Sequence, residues 1–231
     1  MDQGVQTFPG VAGSGALAAE RNRVLRNTYW LLALSMVPTV LGAWIGVATG
    51  LTRMMTPGIS LIVFMVGAFG LMFAVEKTKN SAAGVPVLLG FTFFMGLMLS
   101  QLLGSVLTLK NGGSLIMLAF GGTSAIFFGM ASLSSIIKRD LSSMGKFMFI
   151  GVIMLLVASI ANVFIQSSAL MITLSVLAIG IFSVFILYDL KRVQNGEETN
   201  YITATLGVYL SLYNVFSNLL ALLGIFGGER D

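Results

Sequence analysis

The sequence predicts an all-α membrane protein with seven transmembrane helices. Its 231 residues are 56% hydrophobic and only 10% charged, whereas soluble domains carry about 25% charged residues. Apolar runs of about 20 residues recur along the chain, and a helix of that length crosses the ~30 Å hydrocarbon core of a bilayer. The short alternating segments that a transmembrane barrel requires are absent from the sequence. A lipid bilayer is therefore the first expected partner.

Seven apolar runs define the predicted spans. Their boundaries are 29–52, 58–76, 84–109, 113–137, 145–166, 168–190 and 203–226. The connections are too short to hold a folded module, so one transmembrane domain over residues 29–226 is expected.

The two ends of the chain differ from this domain. Residues 1–28 are rich in Gly and Ala and too poor in large apolar residues to form a core, which predicts a flexible N-terminal tail. The first apolar run is too long for a cleaved secretory signal, so we expect it to be retained as a span. Residues 227–231 form a short predicted C-terminal tail.

The basic residues predict the orientation of the spans. Ten of the 13 Lys and Arg residues fall on one side, and they are Arg21, Arg23, Arg26, Lys77, Lys79, Lys138, Arg139, Lys146, Lys191 and Arg192. Because cytoplasmic segments carry an excess of Lys and Arg, this bias predicts a cytoplasmic N-terminus and, after seven crossings, a periplasmic C-terminus. The basic charge therefore reports topology, and no nucleic-acid partner is expected.

The residue types that are missing limit the chemistry. The chain has no Cys and no His, which excludes thiol nucleophiles, imidazole bases and most zinc or haem ligation. An intramembrane aspartyl protease needs two facing Asp carboxylates, and Asp189 is the only Asp in or at a predicted span. We therefore expect no enzymatic activity, no catalytic residue, no cofactor and no metal site.

Small residues repeat every fourth position in three predicted spans. The sets are Gly42, Gly46 and Gly50, then Gly96, Ser100 and Gly104, then Gly121, Ala125 and Gly129. This spacing lets helix backbones approach closely. We interpret all three sets as helix-packing surfaces rather than ligand sites.

Asp189 is the candidate ionisable group at membrane depth. It lies in "FILYDLKR" near the end of the sixth span, where the helix dipole disfavours negative charge. Ionisable residues in spans usually face a partner or a water-filled cavity. Two interpretations stay open: an interfacial carboxylate neutralised by Lys191 or Arg192, or a proton-sensing group in a cytoplasmic-side cavity.

Small and polar residues form one stripe along the seventh span. Gly207, Ser211, Asn214 and Asn218 are spaced by four, three and four positions, which places them on one helix face. Lipid offers no hydrogen bonds, so this face should meet other helices or a cavity. If the sixth span is the neighbour, Ser211 or Asn214 lies near Asp189. The alternative is a plain hydrogen-bonding stripe between helices.

The polar loop before the last span is a second candidate site. It consists of Glu197, Glu198, Thr199, Asn200 and Tyr201, on the predicted cytoplasmic side. We expect it either to cap the seventh helix through Thr199 or Asn200 or to contact a partner protein.

Three stretches of the sequence together resemble one known family. They are "GEETNYITATLGVYLSLYNVF" (196–216), "GFTFFMGLMLSQLLG" (90–104) and "FGGTSAIFFGMASLSSIIKRDLSSMG" (120–145). Each resembles a span signature of the YccA-like branch of the Bax inhibitor family, and "RNTYWLLALSM" (26–36) resembles the entry to its first span.

The resemblance implies a seven-helix fold in the bacterial inner membrane, with a central helix surrounded by the others. For this branch it implies a protein that binds the membrane-anchored AAA+ protease FtsH. Such a protein is itself a slow substrate and restrains degradation of other membrane proteins. The predicted flexible tail fits this function, because a processive unfoldase needs a free segment to begin pulling.

The wider family implies an alternative function, a pH-sensitive calcium or cation leak. There, two carboxylates in the sixth and seventh spans share a proton, which raises the pKa of one of them. Asp189 matches the first position, but Ser211 stands where the second carboxylate is expected, and Gln101 stands where a Pro is common. Without a second carboxylate the coupled titration disappears. The sequence therefore favours the protease modulator, and calcium or protons are partners only under the alternative.

Overall fold

The computed structural model describes residues 9–137 and 141–229, and this part of the chain contains seven long helices. They are α1 Pro9–Thr49, α2 Pro57–Thr78, α3 Gly84–Val106, α4 Gly112–Ile136, α5 Ser142–Ile165, α6 Ser168–Asn195 and α7 Tyr201–Phe226, with a short 3₁₀ helix at Leu51–Met54. Each of the seven is long and apolar enough to cross a membrane. The prediction of an all-helical, seven-span membrane protein is confirmed.

The first helix begins twenty residues before the predicted first span. Residues 9–28 were predicted as flexible tail, and that prediction is wrong for them because they are helical and continuous with the span. Pro at the first helical position and the following Ala, Leu, Glu and Arg residues favour helix. Val24 and Thr28 are also buried against the other helices. Residues 1–8 lie outside the described residues.

The last helix, α7, is the centre of the bundle. It contacts α1, α2, α3, α4 and α6, whereas α5 packs mainly against α6 at the periphery. Val208, Tyr209, Val215 and Leu220 of α7 are fully buried. The central helix that the family resemblance implied is therefore present, and it is the helix that carries the polar stripe.

Glycines let α1 and α3 pack with their backbones in contact. A Cβ atom on Gly42 would overlap the carbonyl oxygen of Phe93, and one on Gly96 would overlap the carbonyl oxygen of Thr39. Gly46 lies in the same way against the side chain of Ser100. Four of the small residues predicted to pack in these two spans therefore do so.

The packing predictions are wrong for Gly50 on α1 and for the whole small-residue set on α4. Gly50 has a φ of 66° and follows the end of α1 in the left-handed conformation that glycine favours, and nothing lies within 4 Å of a Cβ built on it. On α4, nothing lies within 4 Å of a Cβ built on Gly121 or Gly129, and Ala125 is exposed.

Another face of α4 turns toward the bundle. It carries the buried residues Leu115, Ala119 and Thr123, which repeat at the same four-residue spacing. Gly121 follows Ala119 by two positions, which is a rotation of about 200° around the helix axis. Gly121 therefore lies on the opposite side of α4 from Ala119. Spacing alone did not distinguish the two faces.

The C-terminal end of α7 is tied to the connection between α3 and α4. The side-chain amide of Asn111 donates to the carbonyl oxygen of Gly227 at 2.6 Å, and its oxygen accepts from the backbone N–H of Glu229 at 3.1 Å. The backbone N–H of Lys110 donates to the carbonyl of Glu229 at 3.2 Å. Residues 227–229 of the predicted C-terminal tail are therefore fastened to the bundle, and residues 230 and 231 lie outside the described residues.

The contact between α1 and α3 predicts an asymmetry between two glycine substitutions. Gly96→Ala forces a methyl group into the backbone of α1, and we expect it to lower the free energy of unfolding by about 1–3 kcal/mol, as overpacking does in other cores. Gly129→Ala is the matched control on the open face of α4, and it should leave stability unchanged or slightly raised because Ala favours helix. Thermal unfolding in detergent measures both. Equal losses in the two variants would contradict the packing described for α1 and α3.

Candidate functional site

Five helices converge at the end of the bundle that contains the loop between α6 and α7. We call this end the basic end, defined by Arg21 of α1, Lys79 after α2, Lys191 and Arg192 of α6, and residues 196–200. Arg21 donates from Nη1 to the carbonyl oxygen of Gln194 at 3.4 Å and packs against Gly196. Segments that are distant in the sequence are thus brought together by their polar groups.

Lys191 caps the end of α4. Its Nζ donates to the carbonyl oxygens of Ser134 at 3.2 Å and Ile137 at 2.5 Å, two groups that a helix end leaves without a partner in the helix. Gln194, one turn further along α6, donates to the hydroxyl of Ser134 at 2.9 Å. Lys191 therefore points to α4, which argues against its role as the neutralising partner of Asp189.

Arg192 belongs to the loop that follows α6. Its guanidinium lies 4.0 Å from a carboxylate oxygen of Glu197 and 3.9 Å from one of Glu198, and 5.7 Å from the ring centre of Tyr188. These ion pairs and the cation–π contact hold the loop back against the end of α6. Such pairs contribute little energy each where they are exposed, so they position the loop more than they stabilise the fold.

Asp189 lies against the backbone of α7. A Cβ atom on Gly207 would stand 2.8 Å from Oδ2 and 3.2 Å from Cγ of Asp189, so the carboxylate occupies the space that the glycine leaves open. Among the described residues, the ion-pair partners of Arg192 are Glu197 and Glu198, and no ion pair joins it to Asp189. Both interpretations of Asp189, neutralisation by a basic neighbour and proton sensing, therefore stay predictions.

The polar stripe of α7 meets α6 at Gly207. Ser211, one turn further, is buried at 3% exposure. Asn214 and Asn218 donate instead to carbonyl oxygens of their own helix, those of Leu210 and Asn214, at 2.8 Å each. Within the described residues no hydrogen bond joins Asp189 to Ser211 or Asn214. Asn214 stands seven residues, or about 10 Å of helix, beyond Gly207, which is why it does not reach the carboxylate.

Asn200 caps α7, and it does more than the sequence predicted. Its Oδ1 accepts from the backbone N–H groups of Ile202 at 2.9 Å and Thr203 at 3.2 Å. Its Nδ2 donates across the surface to the carbonyl oxygen of Lys79 at 3.1 Å and to Oδ1 of Asn80 at 2.8 Å. One side chain thus caps the central helix and joins it to the loop between α2 and α3. Of the two predicted caps, Asn200 is confirmed and Thr199 is wrong.

The other loop residues have mixed surroundings. Glu198 accepts from the backbone N–H of Asn200 at 2.9 Å, and Tyr201 packs beside the buried cluster of Val24, Val193 and Ala204. Glu197 and Thr199 are exposed. A contact with a partner protein through these two residues stays a prediction. In the described part of the chain, no group of three or more acidic side chains is arranged to hold a metal ion.

Sequence reasoning missed the polar contact at the centre of the bundle. The hydroxyl of Tyr209 on α7 lies 2.9 Å from the hydroxyl of Thr39 on α1 and donates to the carbonyl oxygen of Thr92 on α3 at 3.4 Å. Its ring stands edge-on to Phe91, with ring centres 6.0 Å apart. A Tyr in a span signals that its hydroxyl needs a partner, but nothing in the sequence identifies which residue provides it.

Seven apolar helices, with the polar-striped α7 at the centre of the bundle and a basic end closed by hydrogen bonds, define a multi-pass membrane protein. A sequence profile described as "Inhibitor of apoptosis-promoting Bax1" matches residues 21–228. The chain belongs to this Bax inhibitor family.

Three relatives cover almost the whole chain. "Modulator of FtsH protease YccA" of Escherichia coli K12 and "Inner membrane protein YccA" of Escherichia coli O6:H1 are each 37% identical over 91% of this chain and 92% of theirs. An "Uncharacterized membrane protein" of Vibrio cholerae is 36% identical over the same shares. The chain is therefore a multi-pass protein of the bacterial inner membrane, and these relatives are named as membrane proteins or as a modulator rather than as enzymes.

The double role of Asn200 yields a prediction with three variants. Asn200→Ala removes both the cap and the bridge, and we expect the free energy of unfolding to fall by about 1–2 kcal/mol without a change in partner binding. Asn200→Asp keeps the accepting oxygen but loses the donor to Lys79 and Asn80, so the free energy of unfolding should fall by less than in Asn200→Ala. Thr199→Ala is the control and should have no effect in a thermal unfolding assay. An effect of Thr199→Ala as large as that of Asn200→Ala would refute the assignment.

The contact between Asp189 and Gly207 yields a second prediction. Gly207→Ala should destabilise the protein because its methyl group displaces the carboxylate, whereas Gly180→Ala, with nothing within 4 Å, should not. Adding Asp189→Ala to Gly207→Ala makes room for the methyl group, so the two effects should not add. A double-mutant cycle on unfolding temperatures measures this coupling. Strict additivity would show that the contact does not constrain the two helices.

Proposed function

We propose that this chain binds the membrane-anchored AAA+ protease FtsH and restrains it, and that it is itself a slow substrate. The observation that carries the proposal is the 37% identity, over 91% of the chain, to a relative named modulator of FtsH protease. Identity spread over nearly the whole length of both chains indicates a shared architecture rather than one shared segment.

The proposal includes a cytoplasmic N-terminus and a periplasmic C-terminus. Arg21, Lys79 and Lys191 come from three different segments and all lie at the basic end of the bundle. A concentration of Lys and Arg at one end is the feature that sets the orientation of membrane proteins. In this orientation, the N-terminal part of α1 is on the side where the unfoldase of such a protease works.

The geometry of α1 supports an accessible starting point. The helix has 41 residues and is therefore about 60 Å long, roughly twice the thickness of the hydrocarbon core. Residues 15 and 17–20 are exposed, whereas the first buried residue of the described side chains is Val24. The beginning of α1 thus extends beyond the bundle. A short helical segment without packing partners is marginally stable in water, so an unfoldase can engage it.

The packing of the same helix supports slow processing. Beyond Val24, α1 is fixed to α3 by backbone contacts at Gly42 and Gly96. It is fixed to α7 by the hydrogen bonds of Thr39 with Tyr209 and of the Thr28 carbonyl with Thr205 at 3.3 Å. Pulling on the N-terminus must therefore break the contacts of the central helix before any span leaves the membrane. A substrate that is easily engaged but hard to extract occupies the protease.

The proposal is tested by turnover in cells that express the protease and a known membrane client. The decay of the client and of this protein would be followed for the full chain and for a deletion of residues 2–16, which leaves Arg21 and Val24 in place. A third variant replaces residues 2–16 with an unrelated flexible sequence of equal length. We expect the full chain to slow client loss severalfold, the deletion to be stable itself and to spare the client less, and the replacement to restore turnover.

Two results would count against the proposal. Client decay that is unaffected by the full chain would reject restraint of the protease. Turnover of this protein that is independent of residues 2–16 would reject engagement at the N-terminus. Dependence on them would support the proposed orientation, because a cytoplasmic unfoldase reaches these residues only if they are cytoplasmic. A catalytically inactive protease is the control for degradation by other enzymes.

The leak alternative has weaker support. A proton-sharing pair needs a carboxylate on α7 opposite Asp189, but α7 contains no Asp or Glu, and Gly207 packs against the carboxylate of Asp189. Ser211, where the second carboxylate was expected, offers a hydroxyl. Calcium and proton transport by this chain stay predictions.

A further inference from the structure

We infer that the outer face of α1 holds a binding site for the headgroup of an anionic phospholipid, formed by Arg23, Arg26 and Trp30. Three observations carry this inference: the direction in which these side chains point, their depth relative to the membrane, and the lack of a hydrogen bond or ion pair from either arginine side chain to another described residue. The inference does not depend on the proposed function.

One stripe of α1 faces away from the bundle. Arg23, Arg26 and Trp30 are spaced by three and four positions and are all exposed. The same stripe continues with further exposed residues at the same helical spacing, which are Leu34, Val37, Leu41 and Trp44. Because this continuation is apolar and exposed in a membrane span, it faces acyl chains. The arginines therefore stand where the headgroups of those same lipids lie.

The depth of the stripe follows from Trp30. This residue is 73% exposed, and Trp side chains concentrate at the boundary between hydrocarbon and headgroups. From Trp30 to the end of α1 at Thr49 the helix covers about 30 Å, the thickness of the hydrocarbon core. Arg26 then lies about 6 Å and Arg23 about 10 Å outside the hydrocarbon, within the range over which an anionic membrane surface acts.

Basic residues on the inner faces of the bundle already have protein partners. Arg21 bonds Gln194, Lys191 caps α4, and Arg192 pairs with Glu197 and Glu198. For Arg23 and Arg26, by contrast, no hydrogen bond or ion pair joins the side chain to another described residue. Guanidinium groups bind phosphate oxygens with two parallel hydrogen bonds. Charge complementarity therefore assigns this surface to a lipid phosphate rather than to a neutral lipid.

The two tryptophans of the chain allow a direct test, since both lie on this stripe. The Trp44→Phe protein, with Trp30 as its only Trp, would be placed in phosphatidylcholine vesicles containing brominated phosphatidylglycerol or, separately, brominated phosphatidylcholine at equal mole fraction. Bromine quenches Trp fluorescence on contact. We expect phosphatidylglycerol to be preferred around Trp30 by at least about fivefold, the factor that corresponds to one basic residue near an anionic surface.

Matched variants locate the preference. The double variant Arg23→Gln, Arg26→Gln should reduce the preference for phosphatidylglycerol over phosphatidylcholine to a factor near one. The double variant Arg23→Lys, Arg26→Lys should keep much of this preference. Lys146→Gln removes an exposed charge from α5 and should leave it unchanged. A reporter at Trp44, in the Trp30→Phe protein, should not respond to the arginine substitutions, because it stands 14 residues or about 21 Å further along the helix.

Two results would overturn the inference. Equal quenching by the two brominated lipids in the Trp44→Phe protein would show that the stripe does not select anionic lipid, and would leave the arginines to an acidic protein partner. A preference that survives Arg23→Gln with Arg26→Gln would show that other residues create it. The vesicles contain no other protein, so any preference found belongs to the lipid.

Discussion

The burial of α7 among five other helices is the constraint on which the rest of the structure depends. Lipid tails are as apolar as the helix surfaces, so helices associate in a membrane through close packing and hydrogen bonds rather than through the hydrophobic effect. Tyr209 satisfies both demands, since its ring packs on Phe91 and its hydroxyl meets Thr39 and Thr92. Thr39 of α1 and Thr92 of α3 provide the polar groups that the buried hydroxyl of α7 needs.

The basic end of the bundle obeys different physics, because it is in contact with water. Its ion pairs between Arg192 and the loop carboxylates are individually weak. Its strong elements are the groups that satisfy helix ends, Lys191 on α4 and Asn200 on α7. These two side chains join three helices, α4, α6 and α7, and the loop after α2. The basic end is thus held together by capping more than by charge pairing.

The first helix connects the two environments. Its middle is fixed by glycine contacts to α3, its outer stripe faces lipid, and its beginning extends past the bundle. A single element thereby anchors the protein laterally, fixes its depth at Trp30 and presents a segment to the aqueous side. Restraint of a protease by an engaged but poorly extracted client requires this combination, because engagement needs an unprotected end and resistance needs a fixed span.

Much of the fold was determined by the sequence alone, because a chain with 56% hydrophobic residues and seven long apolar runs can satisfy its backbone in lipid only as helices. The periodic small residues also marked the first and third spans as helices that pack closely, and the loop before α7 gave Thr199 or Asn200 as its cap. Other features were decided only by the tertiary structure. Spacing could not show that α4 turns Ala119 inward and Gly121 outward, since both sets repeat every four residues.

The candidate site illustrates the same division. Residue type and position marked Asp189 and the stripe on α7, but only the packing of α6 on α7 showed that the backbone at Gly207 lies against the carboxylate of Asp189. Composition likewise suggested a flexible segment over residues 9–28, where burial of Val24 and Thr28 continues the helix. Local patterns determine which residues form helices and which faces are small or polar. Which face meets which neighbour depends on the fit of whole surfaces, and that information is spread over all seven helices.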